Sequence, residues 1–262
     1  MRLSHAPPRG RPVEPLLAAL LEPDPDRKCA LVAALVSGES HSRERGLPGG
    51  LPGRPVRPLL VSPREVPNRG LGSVEGRAAL CHAVAHIEFN AINLALDACW
   101  RFAGLPAEYY ADWLSVAQDE ARHFLLMRGR LRELGYDYGD FSAHNGLWEA
   151  AEKTAHDVLV RMACVPRVLE ARGLDVTPGM IHRLRELRDA DTIAVLEVIL
   201  AEEVRHVEIG SRWFRWCCAQ RELEPTATFR RLLQEQGIAL RPPLNREARA
   251  RAGFLPEELP DF

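Results

Sequence analysis

The feature that most constrains this chain is a five-residue phrase that occurs twice. Asp119-Glu120-Ala121-Arg122-His123 and Glu202-Glu203-Val204-Arg205-His206 both read acidic, Glu, small or apolar, Arg, His. Glu and His three positions apart project from one face of a helix, where carboxylate and imidazole can hold one metal ion between them. Two such units, joined by one further Glu from each of two other helices, complete a ligand set for two carboxylate-bridged ions inside a four-helix bundle. The further glutamates stand at matching distances: Glu88 lies 32 residues before Glu120, and Glu170 lies 33 before Glu203.

A single Glu-x-x-His arises often by chance and then marks a solvated helix face. A duplicated phrase with a matched upstream Glu in each half is much harder to reach by accident. The expected metal ligands are therefore Glu88, Glu120, His123, Glu170, Glu203 and His206. The expected ions are two irons, with manganese or one of each as the alternatives, because carboxylate and imidazole donors suit both. Asp119 and Glu202 are suited to orient a ligand His through its other ring nitrogen. Arg122 and Arg205 can pair with those acids and keep them ionised. Gly173 puts Glu170 near a helix end, so Glu152 and Asp157 are the alternatives to it.

Periodicity supplies the helices that would carry these residues. Ser73 reads as an N-cap, and Val84, Ile87, Ala91, Leu94 and Ala98 form one apolar stripe on a helix running to Phe102, with Glu88 beside it. Gly104-Leu105-Pro106 breaks that helix, and a second runs from Ala107 to Leu134, antiparallel to the first. Residues 136–147 read as a crossing loop. A third helix is expected from Leu147 to Arg172, kinked by Pro166 and ended by Gly173, with a fresh start capped by Thr177 ahead of Pro178. The last long helix spans Asp191 to Arg221. No stretch alternates as a strand would, so the chain is predicted to be all-α.

The ends differ in character. Twelve of the 20 prolines precede residue 68, which delays the helical body to that point. Two short helices are expected, at Pro15–Leu21 and Lys28–Val36. The Pro- and Gly-dense stretch from Leu47 to Pro67 is either a disordered leader or an extended arm. The arm, packed on the bundle, is preferred because Val56, Leu59, Leu60 and Val61 would otherwise lie in water. After Pro242-Pro243 the tail reads as irregular. The organisation expected is an arm over 1–72, a helical bundle over 73–221 and a C-terminal extension over 222–262.

Composition excludes several classes. At 46% apolar, 27% charged and net charge −2, the chain is an ordinary globule with no bulk attraction for nucleic acid. A local Arg patch, and with it a modified RNA substrate, stays open. No apolar run approaches the roughly 18 residues of a membrane span, and no secretory signal opens the chain, so the cytoplasm is expected and a membrane partner is not. Six cysteines without a regular framework fit reduced thiols, and the adjacent Cys217-Cys218 reads as buried thiols before a redox or metal pair. His82 and His86 lie one turn apart, but His86 is about 160° round the helix from Glu88 and cannot share its site. Hydrogen-bonded packing or contact with the arm is expected of both. His156 and His182 read as ordinary polar positions, and Tyr109, Tyr110 and Trp113 as core.

The stretch His82-Ala83-Val84-Ala85-His86-Ile87-Glu88 resembles a known family. So do Arg54-Pro55 through Pro67, Leu169-Glu170-Ala171-Arg172-Gly173-Leu174-Asp175, Trp213-Phe214 and Pro243-Leu244-Asn245. The chain is similar to the bacterial ferritin-like proteins catalogued as domain of unknown function 455. That resemblance implies a ferritin-like four-helix bundle with a Pro-rich N-terminal arm and an irregular C-terminal tail, and it leaves the activity unassigned. More loosely, the duplicated phrase looks like that of multicomponent monooxygenases, and the Glu88 helix is similar to that of tRNA-modifying di-iron hydroxylases. These likenesses carry over the same six ligands and no substrate.

Three functions compete. The first is an oxygen-activating oxidoreductase with a small-molecule or macromolecular substrate and an electron donor. The second is a ferritin-like ferroxidase or peroxide scavenger, for which the arm is superfluous and no acidic mineral-nucleating run is present. The third is a non-catalytic helical binding protein, against which the ligands in both halves argue.

Overall fold

Residues 14–36 and 51–261 are described by the computed structural model; the expected arm's segments 1–13 and 37–50 lie outside them. The architecture is all-helical. Among the described residues there is no strand, only one isolated parallel bridge between Leu60 and Ala143.

Helix α1 (Pro15–Leu21) and helix α2 (Pro25–Ala34) form a small N-terminal pair. Lys28 pins the pair to the body. Its buried Nζ donates to the carbonyls of Ala19 and Leu20 at 2.9 and 3.1 Å and to Asn93 Oδ1 at 2.8 Å. Burial pushes the Lys28 ammonium down to about 7.

Helix α3 (Val74–Arg101) starts where Ser73 Oγ accepts the Gly76 N–H at 3.0 Å, which satisfies one of the donors that a helix start leaves free. Its length and composition would suffice to cross a membrane, but 78% of its most apolar window is buried inside the protein. Gly104, at φ 80°, turns the chain into helix α4 (Ala107–Glu133). The two pack antiparallel: Tyr109 Oη donates to the Ala98 carbonyl at one end, and His123 meets Glu88 further along. Helix α8 (Ala190–Gln220) lies antiparallel to α4, pinned by Trp213 on Asp112 and Arg130 on Asp189.

The third helical path departs from expectation. It is already broken at 154–157, between helix α5 (Gly146–Lys153) and helix α6 (Val158–Cys164), where Asp157 caps the new start through the Leu159 N–H. From there the path does not stop at Gly173. A π-helical segment (Val165–Glu170) leads directly into helix α7 (Ala171–Glu186). Pro166 has no N–H and crowds the preceding turn, a conflict that the wider i→i+5 turn accommodates. Gly210 on α8 lies against that proline so closely that an added Cβ would stand 2.3 Å from Pro166 Cβ.

Pro178 also sits inside a helix and does not start one. The carbonyl it leaves without a donor is that of Leu174, and Asn245 Nδ2 reaches it at 3.2 Å. A proline that should end a helix is tolerated because the tail supplies the missing bond.

The tail itself is ordered, against expectation, into helix α9 (Pro225–Glu235), helix α10 (Arg246–Arg251) and a short 3-10 turn at Pro256–Glu258. Two buried arginines dock it. Arg167 lies 4.7, 4.1 and 4.4 Å from the ring centres of Phe214, Phe229 and Phe254 and donates to Glu258 at 2.7 Å. Arg249 makes a two-pronged pair with Asp175 at 2.9 and 2.7 Å.

The stretch 51–72 lies along the body, but not for the reason expected. Val56 is fully exposed and Leu59 is 68% exposed, so the burial of these side chains does not hold it. It is held instead by buried Pro52 and Pro58, the Gly53 N–H on the Leu20 carbonyl at 2.9 Å, and the backbone bonds that join Leu59 and Val61 to Ala143.

Candidate metal centre

The expected ligand residues converge between α3, α4, α8 and the π segment. Glu88 comes from the buried middle of α3, Glu120 and His123 from α4, Glu203 and His206 from α8, and Glu170 from the last position of the π segment. His123 Nδ1 lies 3.2 Å from Glu120 Oε2 and 3.6 Å from Glu88 Oε2. His206 Nδ1 lies 2.9 Å from Glu120 Oε1 and 3.2 Å from Glu203 Oε2. Glu120 thus turns one oxygen to each imidazole. It belongs to both groups whose donor atoms lie within 4.8 Å of one another, Glu88–Glu120–His123 and Glu120–Glu203–His206.

Glu170 is in neither group. It feels the charges of Glu203 and Glu120, and its Oε2 is buried without a hydrogen-bond partner. The alternatives to it are committed elsewhere. Glu152 accepts the Trp148 indole N–H at 3.0 Å, and Asp157 caps α6 and pairs with Arg221.

Behind the imidazoles the two motifs cross over. His123 Nε2 lies 2.7 Å from Glu202 Oε2, and His206 Nε2 lies 3.2 Å from Asp119 Oδ2, so the acid of each phrase holds the histidine of the other. Arg122 bridges Asp119 and Glu202, and Arg205 pairs with Asp119 and reaches Ser115. Once each Nε2–H is given to a carboxylate, the Nδ1 lone pair is directed at the glutamates, the orientation a metal ligand needs. That each acid serves the histidine of the other motif follows from the antiparallel packing of α4 and α8 and from nothing local.

The electrostatics test whether cations fit. Burial, then Glu120, pushes Glu88 well above the usual carboxylate range, and burial with the same neighbour also raises Glu203. Burial, then Glu203 and Glu120, does the same to Glu170. Glu120 is pushed up by burial too, but the flanking His206 and His123 outweigh that and hold it low. Burial alone would lower His123; bonds to Glu120 and Glu88 instead raise it to about 10. His206 is raised well above its ordinary value, the pull of Glu120 and Asp119 exceeding the burial that opposes it. Burial pushes Asp119 up as well, yet His206, Arg205 and Arg122 hold it well below its usual range.

Among the described residues no lysine or arginine pairs with any of the four glutamates. Buried negative charge is costly unless compensated, and here the protein provides only two imidazoles. Divalent first-row cations match the oxygen and nitrogen donors and the charge. The residues fit two such ions, with the unpartnered Glu170 Oε2 as a donor to spare.

The remaining histidines stand apart from the cluster. His82 Nε2 accepts the Gly139 N–H at 3.0 Å. His86 is engaged by Tyr138 Oη at 2.9 Å, the His144 carbonyl at 3.1 Å and Asn90. His156 and His182 are exposed. Tyr109 and Trp113 are core, Tyr110 donates to the Phe102 carbonyl, and Cys217 and Cys218 are buried free thiols like the other four cysteines.

Sequence reasoning missed a cavity of about 330 Å³ that opens beside the glutamates and is walled by α3, α7 and α8. Its one local signal was the small residues Ala91 and Gly173 on faces turned to the ligands.

Fold and site together define an all-helical protein with a buried carboxylate–histidine cluster. The chain belongs to the family described as Protein of unknown function (DUF455), whose sequence model matches residues 21–260. An uncharacterised protein of Haemophilus influenzae is 47% identical over 213 residues, which cover 78% of this chain and 74% of that protein. No solved structure matches the chain.

Proposed function

We propose that this protein is a ferritin-like four-helix bundle holding two iron or manganese ions and acting as an oxygen-dependent oxidoreductase on an organic substrate. In this reading α3, α4, the path from α6 through α7, and α8 are the four helices, within 73–221. The described residues 14–36, 51–72 and 222–261 pack around them. The observation that carries the reading is Glu120, one buried carboxylate shared by two carboxylate–histidine groups.

Glu88 and His123 would hold one ion, Glu203 and His206 the other, with Glu120 between them and Glu170 adding a donor. Bound there, the metals supply redox chemistry with dioxygen. Asp119 and Glu202 keep the imidazoles turned inward, and Arg122 and Arg205 keep those acids ionised. The cavity beside the cluster favours an organic substrate over iron storage, since a mineralising site needs no apolar chamber. An electron donor is part of the proposal. Six buried free thiols support a reducing compartment, the cytoplasm.

Elemental analysis of the full chain purified without chelator tests the site. About two metals per chain are expected, with loss of both in Glu120→Ala and of at least one in Glu203→Ala, while helicity is retained. A parent chain that takes up no metal after anaerobic loading with ferrous iron would overturn the proposal.

A further inference from the structure

We propose that the cavity beside the glutamates binds a neutral, apolar small molecule, and that this is the class of substrate the centre acts on. Its role as substrate rests on the metal centre proposed above; its binding does not.

The chamber reaches Glu88, Glu120, Glu170 and Glu203 at its inner end. Its walls are hydrocarbon: Ala91 and Leu94 from α3, Val176 and Met180 from α7, Leu196 and Ile199 from α8. At about 330 Å³ it lies near the lower end of the range of small-ligand sites, roughly 300–1,000 Å³. The rim continues the same chemistry. Ile87 is 48% exposed although its neighbours Ala85, His86, Glu88 and Phe89 on α3 are buried, and it belongs to the cavity lining. An exposed isoleucine at the mouth of an apolar chamber gains its burial when a ligand arrives.

Charge sets the class more sharply than size. Arg172 is the one arginine on the described cavity wall, and no lysine lies there. Its guanidinium is turned to the tail, donating to the carbonyls of Arg241, Pro242 and Pro243. His86 and His144 are also on the wall, but the His86 ring nitrogens are taken by Tyr138 and the His144 carbonyl, and His144 Nδ1 accepts the Gly146 N–H. No arginine or lysine head on the described wall is therefore turned to receive a carboxylate or phosphate head. The charge of two divalent ions in the proposed centre would be balanced by the four glutamates, so an anionic ligand would find no surplus positive charge there. Ser142 and Thr177 are the hydroxyl-bearing residues on the described wall, which suits an alcohol-sized polar group on a hydrocarbon body.

The test uses the full chain, both as purified and after dialysis against chelator, titrated with the neutral fluorophore N-phenyl-1-naphthylamine. Saturable binding at one site per chain is expected, displaced by 1-decanol and at least about tenfold less well by decanoate. Met180→Trp, which fills the chamber from a half-buried wall position, should weaken the fluorophore about tenfold while helicity and metal content stay at parental levels. His206→Ala, at a ligand that does not line the chamber, should keep the fluorophore even when it loses metal, so failure of the metal centre and failure of the cavity read out separately. The proposal is overturned by absence of saturable binding, by decanoate competing as well as decanol, or by Met180→Trp binding unchanged.

Discussion

The two halves of the molecule bring a glutamate to the same interior by different backbones. In the first, Glu88 rides the middle of an uninterrupted helix, Val74–Arg101. In the second, Glu170 closes a six-residue π segment between two shorter helices. The motifs that follow, Glu120–His123 and Glu203–His206, are nearly identical, but what delivers their partners is not. A repeat of side-chain function does not require a repeat of backbone. The wider turn re-aims Glu170, and segments of this kind are found often at functional sites. The cost of the irregular half is dependence on distant parts of the chain: Gly210 must make room for Pro166, and the tail must satisfy what Pro178 leaves open. The regular half needs little beyond its own cap and its long apolar face.

The largest way to break this asymmetry is Arg249→Met. It leaves the Asp175 carboxylate buried with only the Asn245 N–H and a more distant Arg172, and should cost about 3–5 kcal/mol. Urea unfolding measures the loss, and pairing Arg249→Met with Asp175→Leu should return much of it. If Arg249→Met alone were neutral, the second half would not lean on the tail. Gly210→Ala comes next. Helix propensity alone predicts a gain of about 1 kcal/mol, whereas the clash of the added Cβ with the Pro166 ring predicts a net loss of about 1–3 kcal/mol. The sign of the change in unfolding midpoint decides between them, and a more stable variant would remove the need for the close approach. Smallest is Ser73→Ala, which removes the α3 cap and should cost about 1 kcal/mol with metal content unchanged. A loss of metal there would show that the regular half is no more self-sufficient than the irregular one.

Much of the helical plan was legible because its causes are local. Ser73 caps its own helix, Gly104 turns its own chain, and α3, α4 and α8 end within a residue or two of where periodicity placed them. The prolines misled for a physical reason. Pro166 and Pro178 each remove a hydrogen bond, and local reasoning kinks the helix at the first, ends it at Gly173 and starts a new one at the second. Yet the π turn and Asn245 offset both losses, and neither is visible within a few residues of the proline. The tail looked irregular because Pro242-Pro243 interrupts it. Its order comes from Arg167 among three aromatic rings and Arg249 on Asp175, contacts that span the chain.

The candidate site divides the same way. The sequence by itself determined the donor types, their spacing along each helix and the presence of acid and arginine beside each histidine, because these follow from the three-residue step of a helix. Only the tertiary structure decided that Glu120 is shared, that Glu202 holds His123 while Asp119 holds His206, and that Glu170 stands off from both groups. It also decided that the glutamates face an apolar chamber. Those outcomes depend on the register between α4 and α8 and on the turn at Pro166. Register between helices is set by packing across the whole interior, which no stretch of sequence specifies alone.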